Sequence, residues 1–554
     1  MRPLNRLSAP LLTALIGGPA TALAQGIDLD VLAPAATSSG DFIGHAVDVS
    51  GPRAIVGGYA HDFEGTSTTG GAWIYERVDG AWSETVRLQP SDLPPSCRFG
   101  YAVGIAGDFA AVGAYRDDTT ANDLGAVYVF ERQGDGTWVE LQKLTPSDGD
   151  AGWEFGIALD LDGDRMLVGA PGARLTGSTS RTGAGYLFQW NNEDAWIEVE
   201  KLETDDSLGN DELGDAVGLD GDRAVLGAPL QDDNGNSSGA AYVFERQSTF
   251  IWTFDQKLLA FDGASSDRFG SSVDVEGDVV AVGSPFDDDN GTSTGAVYVF
   301  EQDGADWQFE EKLLSSTRDS GARFGDALDL DDDALLVGAQ FERVGFASDA
   351  GAAYAFSRDA QGAYVERERL TWASPSGNDR FGTSVALELG TGLIGSPLNA
   401  DSVGDGGLSQ LFYVQAADPD VVAVGSGSPG CDGPSSLALA HPALVGSAAF
   451  GLTCDAAPVS SVGFLYIGNG PNPAGLDIGL GALVHIDLFA PGPLLDLPIV
   501  SDASGVGGAP LPLPPNPNLA GVRFTAQAFW LWTSCVLPPI GLSSSNGLVF
   551  EVRL

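Results

Sequence analysis

The residues best equipped for chemistry in this chain are carboxylates, and they come in clusters. Asp232-Asp233-Asn234-Gly235-Asn236 and Asp287-Asp288-Asp289-Asn290-Gly291 set hard oxygens at alternating positions, with Asp117-Asp118 a thinner copy. Such oxygens are the ligands that calcium takes, so Asp232, Asp233, Asn234, Asp287, Asp289 and Asn290 are candidates for a weak, exposed calcium site. The simpler reading is a solvated turn in which Asp and Asn bond their own backbone. No catalytic residue is assigned. There is no nucleophile elbow G-x-S-x-G, no H-E-x-x-H, no Walker loop and no dinucleotide fingerprint. His45 and His61 lie far from His441 and His485, and no C-x-x-C is present, so a zinc site is not expected. A carboxylate pair for glycoside hydrolysis is available by number alone, but the acids follow a repeat, which a catalytic acid should break.

Charge narrows the partners. With 27 Lys and Arg against 76 Asp and Glu, the formal charge is −49. Binding to nucleic acid or anionic lipid draws on Lys and Arg to release counterions, so neither is an expected partner. Apolar residues make up 43% of the chain, enough to build packed cores rather than disorder.

The first residues read as an export signal. Arg2 and Arg6 precede the apolar run Leu7–Ile16, and Ala22-Leu23-Ala24 offers a small-x-small cleavage site between Ala24 and Gln25. Pro10, Gly17, Gly18 and Pro19 interrupt the run, which falls short of the roughly 20 apolar residues of a spanning helix. The expectation is a secreted, periplasmic or cell-surface chain with no membrane span. Of Cys97, Cys431, Cys454 and Cys535, the last three are compatible with a disulfide there, which leaves Cys97 over; three cysteines cannot all pair, so no bond is assigned.

What must position any site is a repeat. Ile43-Gly44, Phe99-Gly100, Phe155-Gly156, Leu213-Gly214, Phe269-Gly270, Phe324-Gly325 and Phe381-Gly382 recur every 55–58 residues. Roughly thirteen residues after each Gly comes a second mark. It reads Gly57-Gly58-Tyr59, Gly113-Ala114-Tyr115, Gly169-Ala170-Pro171, Gly227-Ala228-Pro229, Gly283-Ser284-Pro285, Gly338-Ala339-Gln340 and Gly395-Ser396-Pro397. An apolar strand around Trp73, Tyr128, Tyr186, Tyr242, Tyr298, Tyr354 and Phe412 follows. Then an aromatic leads to a basic-Leu pair, as in Trp138 to Lys143-Leu144. Each unit thus holds four short β segments without helical period, which is what a propeller blade requires. The seventh unit lacks its fourth segment, while Leu29–Pro34 resembles Leu141–Pro146. A ring whose last blade is completed by the N-terminal segment explains both facts and removes exposed edges.

With Phe-Gly and Gly-Ala-Pro marks in every unit, residues 27–415 resemble the FG-GAP repeat family, known from the seven-bladed head of integrin α subunits. The resemblance implies extracellular adhesion or ligand binding, often with structural calcium held in a long acidic loop between the two marks. Here that span is short: Asp160-Leu161-Asp162-Gly163-Asp164-Arg165, with Asp220-Gly221-Asp222, Glu276-Gly277-Asp278 and Asp331-Asp332-Asp333 comparable. Asp-Gly and Glu-Gly there predict two-residue hairpin turns, and the chain is closer to the shortened bacterial form of the repeat. The Trp and Tyr at fixed repeat positions predict packing between blades. Trp153 and Trp372, read as lying outside the repeat, are candidates for a binding surface.

The expected class is all-β: a signal peptide at 1–24, a seven-bladed propeller at 25–417, a linker at 418–430 and a small β-sandwich-like domain at 431–554. The tail resembles C-terminal domains of secreted bacterial repeat proteins, through Gly427-Ser428-Pro429-Gly430-Cys431 and Gln527-Ala528-Phe529. The expected function is binding or adhesion to an extracellular protein or glycan by a monomeric, non-enzymatic scaffold. The alternatives are a propeller hydrolase or lyase on an extracellular polysaccharide, and a lectin.

Overall fold

The inner strands that should surround a propeller axis are short alternating segments such as Ala46–Ser50 and Ala327–Asp331, half-buried and buried in turn. The second and third strands are apolar throughout, as in Gly-free runs like Val279–Val282 and Ala296–Phe300, because blades cover both their faces. A computed structural model shows how these segments assemble. It describes residues 28–34, 38–62, 68–78, 81–92, 94–191, 194–206, 209–248, 250–304, 306–331, 333–359, 361–388, 390–399 and 406–413, and beyond them the backbone of strands between 422 and 551.

Seven four-stranded antiparallel sheets are present, and the described residues contain no helix. Blade 1 consists of Ala46–Ser50, Arg53–Gly58, Gly71–Val78 and Ala81–Leu88. Blades 2 to 6 repeat this order, beginning at Val103, Leu159, Val217, Ser272 and Ala327. Blade 7 takes Val385–Glu388, Thr391–Ser396 and Leu408–Tyr413 from its own end of the chain, and Asp28–Leu32 as its outer strand. Asp28 lies opposite Phe412 and Leu32 opposite Ser409, so the circle is shut by both ends of the propeller segment. The inner strands of neighbouring blades touch all the way round, blade 7 against blade 1 included.

Packing is strictly between neighbours. The Phe of each Phe-Gly mark lies edge-on to an aromatic of the following third strand: Phe99–Tyr128 at 5.5 Å, Phe155–Tyr186 at 5.7 Å, Phe269–Tyr298 at 5.3 Å, Phe324–Tyr354 at 5.4 Å and Phe381–Phe412 at 5.7 Å. All these rings are fully buried, as the regular aromatic spacing predicts. The first hairpin of each blade is a two-residue turn, one position later than expected. Asp162 pairs with Arg165 across Gly163-Asp164, and Asp220 with Arg223 across Gly221-Asp222. Glycine stands first with φ of 58° and 53°, the geometry of a turn that follows the strand twist, while the acid before it is still in the strand.

The two glycine marks meet across blades. A Cβ on Gly227 would lie 2.0 Å from the carbonyl oxygen of Gly270 in the next blade, and the same holds from Gly57 through Gly395, which faces Gly44. In each blade the Phe-Gly glycine donates its N–H to the second mark's glycine, as in Gly270 to Gly283 at 2.9 Å.

In the C-terminal region, strands between Val422 and Glu551 form a nine-stranded antiparallel sheet and two short ribbons. Val462–Gly468 and Arg523–Trp532 pair at its centre, and Val422–Val424 pairs with Gly547–Glu551.

Gly227→Ala should therefore cost about 1–3 kcal/mol by forcing two blades apart. Gly277→Asn, in a turn with open space around it, should stay within about 0.5 kcal/mol. Urea unfolding of both variants checks the contrast.

Candidate functional site

The acidic turns were the first candidates, and each is occupied by a cation from its own blade. Lys312, of the basic-Leu pair, places Nζ 2.9 Å from Asp262, 2.8 Å from Asp287 and 2.8 Å from Asp289. These three carboxylates are close enough together to hold a metal ion, and the ammonium stands among them. The Tyr298 hydroxyl lies 2.7 Å from Asp262 and 2.8 Å from Asp287, and its ring faces Nζ at 5.0 Å. Lys257 repeats this with Asp206 and Asp233, Lys143 with Asp92 and Asp117, and Arg369 with Glu342. The remaining candidates behave as turn residues: Asp232 accepts from the Ser237 amide at 2.7 Å, and Asn234 donates to the Ala260 carbonyl at 2.9 Å. Asn290 is exposed at the tip of its turn. The carboxylates of these clusters are thus engaged by hydrogen bonds and by a cation of the chain itself. Ala24 and Gln25 lie outside the described residues.

Trp153 and Trp372 are not surface residues. Both are buried, Trp153 beneath the Lys201 ammonium at 5.1 Å. Trp153 stands two residues before Phe155, where the other blades bury Cys97, Asp211, Asp267, Ala322 and Asp379. Trp372 takes the place of Pro90, Pro146 and Thr204 after the outer strand, again a buried position. Each belongs to the repeat; only its residue type departs from it. Cys97 is a buried free thiol, pushed up to about 12 by burial, and so is not a nucleophile. His61 is buried with Nδ1 2.7 Å from Asp41.

The channel holds an arrangement that motif reading missed. At one register of the inner strands stand Asp48, Gly104, Asp160, Gly218, Asp274, Asp329 and Ala386. Inner strands are sheet edges with unpaired amides, and the four aspartates satisfy them. Each accepts from the next blade: Ile105 N to Asp48 at 2.6 Å, Leu219 N to Asp160 at 2.7 Å, Leu330 N to Asp274 at 2.7 Å, and Leu387 N to Asp329. Asp48, Asp160 and Asp274 also accept from their own following amides. Seven is odd, so carboxylates and small residues cannot alternate perfectly, and Asp274 and Asp329 meet on adjacent blades within hydrogen-bonding reach. All four are half-buried, with protein on every side. Burial raises Asp160 to about 6, and burial with the Asp160 charge raises Asp274 to about 8.

At the Phe-Gly end the channel opens into a mouth of a different character. The residue before each Phe-Gly mark is left-handed in all seven blades: Phe42, Arg98, Glu154, Glu212, Arg268, Arg323 and Arg380, with φ of 54–59°. Backbone bonds to the preceding blade hold this strained conformation, as in Arg380 N to Asp349 O at 3.1 Å. The mouth has three sectors. Over blades 1 and 2, His45 and Tyr101 meet at 4.5 Å, Phe42 stacks on Tyr59 at 5.1 Å, and Arg98 lies 5.1 Å from the Tyr59 ring. Burial and the Arg98 charge lower His45 to about 4, leaving a neutral imidazole. A cavity of about 410 Å³ opens beside them, lined by Phe42, Tyr59, Arg98, Arg116, Asp118 and Asp123. Glu154 and Glu212 form an acidic sector above Asp215, whose carboxyl burial and both glutamates raise to about 7. Arg268, Arg323 and Arg380 form the third sector, around Asp326. Aligning the units at the Phe-Gly mark would have shown this varied position, which the search for constant residues passed over.

Five segments, residues 82–130, 138–188, 196–244, 252–300 and 307–356, match the FG-GAP repeat. The chain carries that repeat, on a seven-bladed propeller. Each matched segment begins in the outer strand of one blade and ends in the third strand of the next, the same offset that sends Asp28–Leu32 to blade 7. No curated protein matches the chain.

Replacing Lys312 with Met leaves three carboxylates facing one another. The expected loss is about 3 kcal/mol, partly restored by millimolar calcium; the unaltered protein should melt at the same temperature with or without calcium. For the channel aspartates the folded pKa lies above the ordinary 3.8, so folding takes up protons. Their stabilisation is complete below the ordinary value and is lost as pH rises through about 6 and about 8. Melting temperatures across pH 5–9 should fall less steeply for Asp274→Asn than for the unaltered protein.

Proposed function

We propose that this chain, a ring of FG-GAP repeats, is an exported binding protein that takes an extracellular ligand at its channel mouth. One observation carries the reading. At the position before each Phe-Gly mark the backbone is the same in seven blades, while the side chain is aromatic, acidic or cationic according to sector. The Phe and Tyr packing positions keep large apolar rings because each interface demands similar filling, and the varied position occupied by Trp153 is buried, whereas none of these seven side chains is buried. A position with fixed backbone and varied chemistry is a display position, held by a rigid scaffold. The export signal at Arg2–Ala24 supports an extracellular setting. Among the described residues no helix is long and apolar enough to cross a membrane. The aromatic and carboxylate lining of the cavity at Phe42 and Tyr59 suits a sugar ring, which brings the lectin alternative within the same reading.

A second reading has its own support. Glu154, Glu212 and Asp215 occur in only two blades, at the mouth, and Asp215 titrates near neutrality. A carboxyl so raised is suited to general acid work on a glycosidic bond. Binding is preferred because the acids share the mouth with a larger surface of aromatic and cationic groups.

A glycan and extracellular-matrix array separates the two. The mature protein should capture a ligand that a variant with Tyr59→Ala and Arg98→Gln captures at least tenfold more weakly. Capture indifferent to mouth residues would remove the reading. Release of reducing ends from a captured polysaccharide, abolished in Asp215→Asn, would replace it with the hydrolase.

A further inference from the structure

We propose that Arg268, Arg323 and Arg380 form an anion-binding arc for a short stretch of carboxylated polysaccharide; the proposal rests on the mouth being the binding face. The three arginines come from successive blades and are interleaved with two phenylalanines. Arg268 lies 4.9 Å from the Phe286 ring and Arg323 4.4 Å from it on the same ladder; Arg323 lies 4.3 Å and Arg380 4.9 Å from Phe341. Stacking on a ring face uses the flat side of a guanidinium and leaves its N–H edges free.

Those edges have no carboxylate within ion-pair distance among the described residues, unlike the cations of the acidic clusters. Acids outnumber bases 76 to 27, and Lys143, Lys201, Lys257, Lys312 and Arg369 are each held by one or more carboxylates. The Nε of Arg380 is buried with no hydrogen-bond partner at all. A donor left so costs free energy that a bound acceptor would recover. Asp326 is the carboxyl that all three guanidiniums surround, and it accepts from Gln340 Nε2 at 2.9 Å; Asp319 and Asp349 line a cavity beside Arg323 and Phe341 without pairing with that guanidinium. The left-handed backbone at each arginine is held by the blade behind it, so the forks are fixed before a ligand arrives.

The geometry points to the class of ligand. A planar guanidinium fork pairs bidentately with a carboxylate. Forks that recur once per blade match charges that recur along a chain, and a uronate polymer has that regularity whereas a peptide does not. The Phe faces are already covered by arginine, so the arc reads charge, not a bare sugar face. The rest of the surface is strongly acidic and would repel a long polyanion, and Glu212 borders the arc beside Arg268. Only a few sugar units can therefore be engaged.

Titration of the full chain with oligogalacturonate tests this, with its methyl ester and poly-glutamate as comparison probes. The expected result is saturable binding of the free acid that weakens with added salt. It should fall at least tenfold in Arg323→Gln and disappear when all three arginines are changed to Gln. Arg323→Lys, which keeps the charge without the fork, should weaken binding severalfold, and Arg246→Gln, paired with Asp222 away from the mouth, should leave it unchanged. Circular dichroism confirms that each variant is folded, and Arg323→Lys carries the test if the triple variant is not. Absence of binding, equal binding of the ester or of poly-glutamate, or full binding by the variants would overturn the proposal. A neutral or basic array ligand that depends on Tyr59 and Arg98 would overturn the arc alone and leave the mouth as the binding face.

Discussion

The structure depends on a contact between two backbones. Where Gly227 meets the carbonyl of Gly270, and at the six equivalent joints, no side-chain atom fits between neighbouring blades. That approach fixes the separation and tilt of each blade against the next, and seven equal steps return the chain to its start. Everything displayed at the mouth is held by the same joints. The residue before each Phe-Gly mark, two positions from the glycine that makes the contact, is held in left-handed backbone, and its side chain is delivered to the mouth by geometry rather than by its own preference.

Electrostatics follow from this frame. A chain of net charge −49 folds into a ring by giving its carboxylates local employment. Some surround an ammonium of the same blade, as Asp287 and Asp289 do around Lys312. Others accept the free amides of inner strands, as Asp160 does from Leu219. Both devices recur with the repeat, and both serve the scaffold. The arginines at Arg268, Arg323 and Arg380 are not held in this way: they pack on Phe286 and Phe341 around Asp326, with no carboxylate at ion-pair distance among the described residues.

Much of the fold was legible from residues 28–413. The blade count, the strand order, the completion of blade 7 and the buried aromatic layer all follow from spacing, because a repeat restates its constraint seven times. The hairpin turns were found but displaced by one residue, since Asp162-Gly163 and Gly163-Asp164 offer the same turn chemistry and only pairing with Arg165 distinguishes them. The site was far less legible. The acidic clusters drew attention because calcium ligands and turn residues are the same residue types; that Lys312, distant in the chain, stands among Asp262, Asp287 and Asp289 is visible only in the fold. Trp153 and Trp372 looked irregular because the equivalent positions of other blades hold smaller residues such as Cys, Asp, Ala, Pro or Thr, and burial, not residue type, is what those positions share.

By itself the sequence determined a ring of seven blades, stitched at its ends, with Gly where backbones must touch and aromatics where blades must pack. These are local and periodic demands, and each is written in one stretch of chain. Only the tertiary structure decided which side chains share a space. Residues one repeat apart are distant along the chain but adjacent around the axis, so the aspartates of the channel and the arginines of the mouth become neighbours only when the circle closes.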